Sequence, residues 1–571
     1  MNSIVSYRNY QFDGELYVRC AGDPKGVKNV KYTLLNDSAK VQECVAVGAG
    51  TVTFHGLAPG QYVIEGEVTL SDDTVCQVES KIVQIDPGEV TRTYEELFAS
   101  NAKALEAFKR SSAQSKNSQH VPLKGRHAVA GDARHRLVVK FKEGKAPSSL
   151  HSSLSVYREY AKNLKWVPVY DQGMLSEKRG RLQVLKRLIP TYYADFIDEG
   201  EIGQKFNAVL LSLAIELESD ESVEYCDLAS DVRFVHPELF ENAQHGDSCT
   251  QMSDEPTPDF TSRQYYLKPP QERSYGMNVL AAHENGWKGA GAVIRHLDFG
   301  VYEEHEDLKE ANMSVLYNES EDPLDLYHGT NSVGVIIPRD DGKGVTGIAY
   351  EAQLYFYRTD YMAKIVEDMS PGDIVSLDIA AGGMRPIVHS KVWWDQVSTC
   401  VEAGVTVIFA AGNNMYNLLE SPEYFDSWGN SGGIMIAGCY SNNGWRVPET
   451  NYNLYETLNS WANPFVTTTG LIPFGDRWLG ESYDDTPNRT YNFGYGGTSA
   501  ATPLVAGSLA VGQGRMIKDE GIYLSPAALY AWYYANGYTD AEDGQSHQDK
   551  VGRRPNVFGT LASLPKKYNL Q

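Results

Sequence analysis

Two short apolar runs in this chain end in the same way, and that ending limits the folds open to it. Val293-Ile294 and Leu297 lead to Asp298, with Gly300 behind it; Val405 to Ala411 leads to Gly412-Asn413. Runs this short and this apolar read as strands buried on both faces, the mark of a parallel sheet covered by helices. Open α/β sheets place their sites outside the carboxyl ends of the strands. A strand that stops on a carboxylate or an amide therefore presents it where chemistry takes place. His328-Gly329-Thr330 lies between the two runs, ahead of Val333-Gly334-Val335-Ile336-Ile337, whose small residues let a helix pack close to a sheet. Further on, Gly496-Gly497 precede Thr498-Ser499 and the small, apolar run Ala500 to Gly507. That pattern predicts a loop entering a buried helix, with Pro503 in its first turn.

The polar residues at these places form a chemical set. A serine hydroxyl is a poor nucleophile at neutral pH. It needs a base within hydrogen-bond reach, usually histidine, and a carboxylate to fix the histidine tautomer. Donors must also face the oxygen that becomes negative in the tetrahedral intermediate. Asp298, His328, Asn413 and Ser499 supply an orienter, a base, an oxyanion donor and a nucleophile. Ser499 at a helix start would also gain from the positive end of the dipole, with its own backbone N–H facing the oxyanion.

The segments around these residues resemble those of subtilisin-like serine peptidases, the subtilase family. Asp298-Phe299-Gly300-Val301 followed by His305-Glu306-Asp307-Leu308 is similar to the family's Asp-Ser/Thr-Gly-Val and His-Pro-Asp-Leu. His328-Gly329-Thr330-Asn331-Ser332-Val333-Gly334 is similar to His-Gly-Thr-His-Val-Ala-Gly. Ala411-Gly412-Asn413 matches the oxyanion segment, and Gly497-Thr498-Ser499-Ala500-Ala501-Thr502-Pro503 is similar to Gly-Thr-Ser-Met-Ala-Ala-Pro. The resemblance spans roughly residues 260–565, including Arg554 to Val557. It implies a three-layer α/β catalytic domain with a mostly parallel sheet and a serine endopeptidase acting through an Asp298-His328-Ser499 triad and an acyl-enzyme. Asn413 would be the oxyanion donor. It also implies that backbone from Ser376, Leu377 and Asp378 to Gly382 and Gly383 pairs with an extended polypeptide substrate. Phe299, Asn331 and Asp378 depart from the family pattern. They keep a second class in view, a catalytically degraded scaffold that acts as a binding protein. A small-substrate esterase is a third. No cofactor is required. Family members often hold calcium, and Asp322, Asp325, Asp340 and Asp341 offer oxygens, but no calcium-loop pattern occurs and no metal residue is assigned. His305 to Asp307 reads as a solvated loop.

The chain of 571 residues is long enough for several domains. Residues 1–88 show short strands with Pro-Gly turns and read as an all-β sandwich, similar to immunoglobulin-like or transthyretin-like modules. Residues 89–135 read as a helix (Tyr94 to Arg110) and a polar linker. In residues 136–240, Arg136 to Lys142 reads as an edge strand, Phe206 to Leu217 as a helix and Ser222 to Cys226 as a strand. That order resembles a subtilase propeptide, which implies an α+β domain acting as an intramolecular inhibitor. Residues 241–262 read as a linker open to autoprocessing, and 263–571 as the peptidase domain. A net charge of −23 argues against nucleic-acid partners. No apolar stretch is long enough to span a bilayer. Met1 to Tyr10 lacks a signal-peptide pattern, so the expectation is a cytoplasmic protein or leaderless export, unless a leader has been lost. Seven scattered cysteines, without metal spacing, read mostly as buried free thiols, with a pair among Cys20, Cys44 and Cys76 left open.

Overall fold

The computed structural model describes residues 14–19, 27–36, 39–47, 51–57, 60–70, 75–85, 90–93, 135–171, 183–198, 206–230, 256–271, 274–381, 385–418, 430–441, 444–453, 457–462, 464, 466–468, 481–482, 487–492, 495–538 and 551–563. The expected helix over Tyr94–Arg110 and its linker lie outside these residues, as do Gly382 and Gly383. The chain divides into two compact units, residues 1–122 and 123–571.

Among its described residues the first unit holds seven strands: β1 (Gly14–Arg19), β2 (Val27–Asn36), β3 (Ala39–Val47), β4 (Thr51–Leu57), β5 (Gly60–Leu70), β6 (Val75–Ile85) and β7 (Val90–Thr93). They form two sheets, ordered β4-β1-β7 and β3-β2-β5-β6. The seventh strand lies beyond residue 88. In β2, Tyr32 and Leu34 are buried while Lys31, Thr33 and Leu35 are half-buried, the alternation of a sheet with one covered face. Lys31 sits opposite Glu67 in the ladder and bonds it at 2.9 Å.

The second unit begins with β8 (His135–Phe141), α1 (Ser155–Tyr160), β9 (Leu164–Pro168), β10 (Thr191–Phe196), α2 (Phe206–Glu218) and β11 (Val223–Ser230). Its antiparallel sheet is ordered β11-β8-β10-β9, so β8 is an interior strand and the edge-strand expectation is corrected. Period-two alternation explains its charges. Leu137, Val139 and Phe141 point into a core with Leu210, Leu213 and Leu217 of α2. Val138 and Lys140 face the other way, toward the C-terminal domain. Val138 shares a core with Val397, and Lys140 reaches Asp395 at 2.6 Å.

The C-terminal domain is built on β12 (Val293–Asp298), β13 (Met313–Tyr317), β14 (Gln353–Arg358), β15 (Ile374–Leu377), β18 (Thr406–Ala410), β19 (Ile434–Cys439) and β20 (Thr457–Trp461), with a small hairpin of β16 (Ala380–Ala381) and β17 (Arg385–Pro386) between β15 and β18. The seven-stranded sheet is ordered β13-β14-β12-β15-β18-β19-β20, and every pairing is parallel. Helix α3 (Pro323–Val333) and α6 (Thr498–Arg515) belong to one side; α4 (Met362–Asp368) and α5 (Lys391–Glu402) belong to the other. Ile294, Ile374 and Ile408 pack with Ala501, Leu504 and Val505 of α6. Leu297, Val375 and Phe409 pack with Ile365 of α4 and Val397 of α5. Burial on both faces is why these strands are continuously apolar. A three-stranded sheet of β21 (Val466–Thr468), β22 (Glu481–Ser482) and β23 (Thr490–Asn492) flanks this core.

Two boundaries differ from expectation. Residues 256–262 are packed on the C-terminal domain, because Asp259 bridges Gly344 and Phe260 is buried against Val345 and Tyr491. The expected linker therefore ends before Pro256. The helix near His328 starts earlier than the small residues suggested. Asp322 caps it through Leu324 N–H at 2.9 Å and Pro323 takes its first turn, so His328 lies inside the helix.

Candidate active site

After β12 the chain builds β13 and β14 on one side, and β15 then crosses to the other. The carboxyl ends of β12 and β15 thus flank a topological switch point, where a crevice opens in a parallel sheet. Asp298 is the last residue of β12. Asp378 follows β15 directly, and its N–H donates to Leu297 O at 3.2 Å.

His328 comes to this point from α3. The helix approaches closely because Gly329 has no side chain; a Cβ there would lie 1.9 Å from Gly300 O. His328 Nδ1 lies 2.6 Å from Asp298 Oδ1. A carboxylate only accepts, so Nδ1 carries the hydrogen and Nε2 keeps its lone pair, the tautomer a general base needs. Phe299 and Tyr495 meet the imidazole edge-to-face, with ring centroids at 5.3 and 5.5 Å. Both rings restrict its orientation and keep it dry; His328 is 1% exposed. Asp298 Oδ1 also accepts Phe299 N–H at 2.7 Å, and Oδ2 faces His296 Nε2 at 3.3 Å. Burial pushes the Asp298 carboxyl up, but the His328 charge and the hydrogen bonds from His296 and His328 outweigh it and hold the group below its ordinary range.

Asn413 and Ser499 are joined through the start of α6. Gly497 precedes the helix at φ +77°, a conformation that favours glycine, and a Cβ there would sit 3.0 Å from Asn413 Nδ2. Thr498 N–H donates to Asn413 Oδ1 at 3.0 Å, which orients the amide and leaves Nδ2 for another acceptor. Gly412 N–H donates to Thr498 Oγ1 at 3.2 Å. Pro503 lies in the second turn of α6, not the first. Its missing N–H leaves Ser499 O without an i+4 donor. Tyr495 Oη–H takes that place at 2.9 Å and also pairs with Ser332 Oγ at 2.5 Å. Among the described residues no hydrogen bond joins Ser499 to His328; Tyr495 touches both.

The other expected residues divide. Ser376 and Leu377 pair with β12 on one side and β18 on the other, so they have no free edge for a substrate, and that expectation is corrected. Asp378 is fully buried beside Asp298 and does not line a groove. Asn331 is buried, donates to Tyr327 O and accepts from Asn492 at 3.3 Å. His305 to Asp307 is not a solvated loop. His305 is fully buried on Thr490, and Asp307 accepts from Thr467 at 2.6 Å and Tyr491 at 2.9 Å. Cys226, Cys400 and Cys439 are buried. His296 and Tyr495 did not stand out in the sequence. Their signal was present in part, since His296 is a polar residue two before Asp298 in a strand otherwise read as buried. Three donor atoms of His296, Asp298 and Asp378 lie within 4.8 Å of one another. A cation placed there would compete with His328 for Asp298.

The model of the Subtilase family matches residues 289–536. Subtilisin DY of Bacillus licheniformis is 25% identical over 254 residues, 42% of this chain and 83% of that protein. A thermostable alkaline protease of Halalkalibacterium halodurans is 25% identical over 278 residues, 44% of this chain and 68% of that protein. Among solved structures, a Pseudoalteromonas arctica protease is similar at 20% identity and a TM-score of 0.41, covering 54% of this chain and 99% of that one. By the family match and the curated relatives, residues 289–536 are a serine endopeptidase domain of the subtilase family.

Proposed function

We propose that this chain hydrolyses peptide bonds with Ser499 as nucleophile. His328 takes the serine proton through Nε2 and returns it to the leaving amine. Asp298 fixes the tautomer and stabilises the imidazolium. Asn413 Nδ2, with the Ser499 backbone N–H, receives the oxyanion. The observation that carries this reading is the 2.6 Å contact between His328 Nδ1 and Asp298 in a buried site beside the start of α6. Ser499 and His328 close to hydrogen-bond distance when substrate is bound, since catalytic hydrogen bonds are often long in the free enzyme. Phe299, Asn331 and Asp378 each make specific contacts and displace none of the reacting groups, which favours an enzyme over a degraded scaffold.

Residues 136–230 act as a propeptide-like domain. They sit on α5 through the buried contacts of Lys140 and Tyr225 with Asp395 and of Asp227 with Ser390. Processing would fall before Pro256. Neither a metal nor a cofactor enters the proposed steps. Casein digestion by the wild type, Ser499→Ala and His328→Ala tests the reading. Cleavage by the wild type alone is expected. Equal cleavage by all three would refute it, and no cleavage by any, after removal of residues 1–255, would favour the binding-protein class.

A further inference from the structure

The surroundings of Asp298 hold more ionisable groups than a base and its orienter require. Register places them there. His296 pairs with Ser376 and Leu297 with Leu377, so the next residues, Asp298 and Asp378, emerge side by side. Side chains two apart share a face, and that face is the one on which Ile294 and Ile374 pack against α6. His296, Asp298 and Asp378 are all fully buried. His296 Nε2 faces Asp298 Oδ2 at 3.3 Å, so its hydrogen is on Nε2 and Nδ1 is a bare lone pair. Ser376 Oγ donates to Asp378 Oδ1 at 3.5 Å. Two buried atoms of the cluster have no hydrogen-bond partner, His296 Nδ1 and Asp378 Oδ2. They are not bonded to each other in the structure, but they are complementary: one is a ring acceptor, the other a carboxyl oxygen able to carry a proton.

We propose that His296 and Asp378 are positioning residues that act on the peptidase reaction through Asp298. The Asp378 carboxyl backs His296, and His296 donates to Asp298 from the side away from His328. This lets His328 become a free base at a lower pH than apolar residues at these positions would allow. The inference rests on the roles assigned above to Asp298, His328 and Ser499. Its physics is simple. Each hydrogen given to the Asp298 carboxylate spreads its charge and weakens its hold on the His328 imidazolium. Two carboxyls this close in a buried site do not both ionise, and burial followed by the charge of Asp298 holds Asp378 protonated well above the ordinary range. Among the described residues, the groups that face the pair come from three places. α3 supplies His328 and Ser332, β15 supplies Ser376, and Tyr495 lies before α6. Asp325 of α3 also feels the Asp298 charge. Arg358, opposite Asp298 in β14, turns instead to Asp360 and Glu319.

The test is the pH profile of kcat/KM on a chromogenic peptide, whose acid limb reports the base of the free enzyme. His296→Leu is expected to raise that limb by about 0.5–1 pH unit, with KM unchanged. Asp378→Ser should raise it less, and His296→Gln and Asp378→Asn, which keep a donor, should restore it. Wild-type protein with 15N-labelled histidine is expected to show two exchange-protected ring N–H signals at this site, which needs no variant to fold. Unmoved limbs, a limb that falls in both Asp378 variants, or a single protected signal would overturn the proposal. Ser499-independent turnover would overturn the functional reading and this proposal together. Ser499-dependent turnover with an unmoved limb would overturn this proposal alone. A stoichiometric divalent cation that is lost in Asp378→Ser would also overturn it, by making these residues ligands.

Discussion

Asp395→Ala should loosen the four-stranded domain from the peptidase domain, and the structure sets the scale. The Asp395 carboxylate accepts from Lys140 Nζ at 2.6 Å, Lys391 Nζ at 2.7 Å and Tyr225 Oη at 2.9 Å. Burial pushes this carboxyl up, but the two lysines outweigh it and hold it below its ordinary range. Lys140 is only 2% exposed, so the variant leaves a buried cation. Removing one partner of a buried pair costs about 3–5 kcal/mol. Glu224 lies 3.4 Å from Lys140 Nζ but is half exposed, and recovers a little of this. A loss of about 3 kcal/mol is roughly a hundredfold in the docking equilibrium. Hydrogen exchange of the full chain in a Ser499→Ala background reads it directly. Amides of β11 and α5 should exchange about a hundred times faster. The exposed pair Arg187–Glu402, at 2.8 Å, is the control, and Glu402→Ala should cost under about 1 kcal/mol. Because the Asp395 carboxyl is held low, its contribution is present above the ordinary carboxylate range and is lost only as pH falls through the folded value. Equal exchange in Asp395→Ala and its parent would refute the reasoning, since a buried pair without energetic weight would mean that water reaches it.

Other tests follow from single contacts. Asn413→Ala should lower kcat by about 10²–10³ with little change in KM, measured on a chromogenic peptide. Asp298→Asn should lower kcat by about 10⁴, because the amide can present its donor to Nδ1 and reverse the tautomer. Asp307 has its carboxyl pushed up to about 7, chiefly by burial, against the hydrogen bonds of Thr467, Val345 and Tyr491. A raised carboxyl favours the folded state fully below its unfolded pKa, and that advantage is lost as pH rises through about 7. Asp307→Asn removes the titration. Relative to wild type, its unfolding free energy should therefore improve by on the order of 4 kcal/mol between pH 4 and pH 7.5, read from urea melts.

The parallel strands and the ends they carry were legible because burial on both faces removes alternation. Asp298 and Asn413 were visible as polar stops on apolar runs. What the sequence could not display was register. The pairing of Leu297 with Leu377 brings Asp378 to Asp298 across about eighty residues of chain, and no local pattern encodes that. The same pairing uses the backbone of Ser376 and Leu377, which a local reading left free for substrate. Lys140 misled for a related reason. A lysine near a strand end ordinarily marks an exposed edge, and only the docked α5 shows its partner. Pro503 was placed a turn too early because Gly497, not a residue further on, caps α6. That error concealed the role of Tyr495, whose hydroxyl serves the carbonyl that the proline leaves open.

The most direct test of the central claim is mass spectrometry of a fluorophosphonate adduct. Purified protein, before and after limited proteolysis removes residues 1–255, would be treated and digested, and the modified residue mapped. The account predicts an adduct on Ser499 alone, formed faster after proteolysis and absent from His328→Ala. An adduct on another serine, or none on a folded peptidase domain freed of residues 1–255, would contradict it.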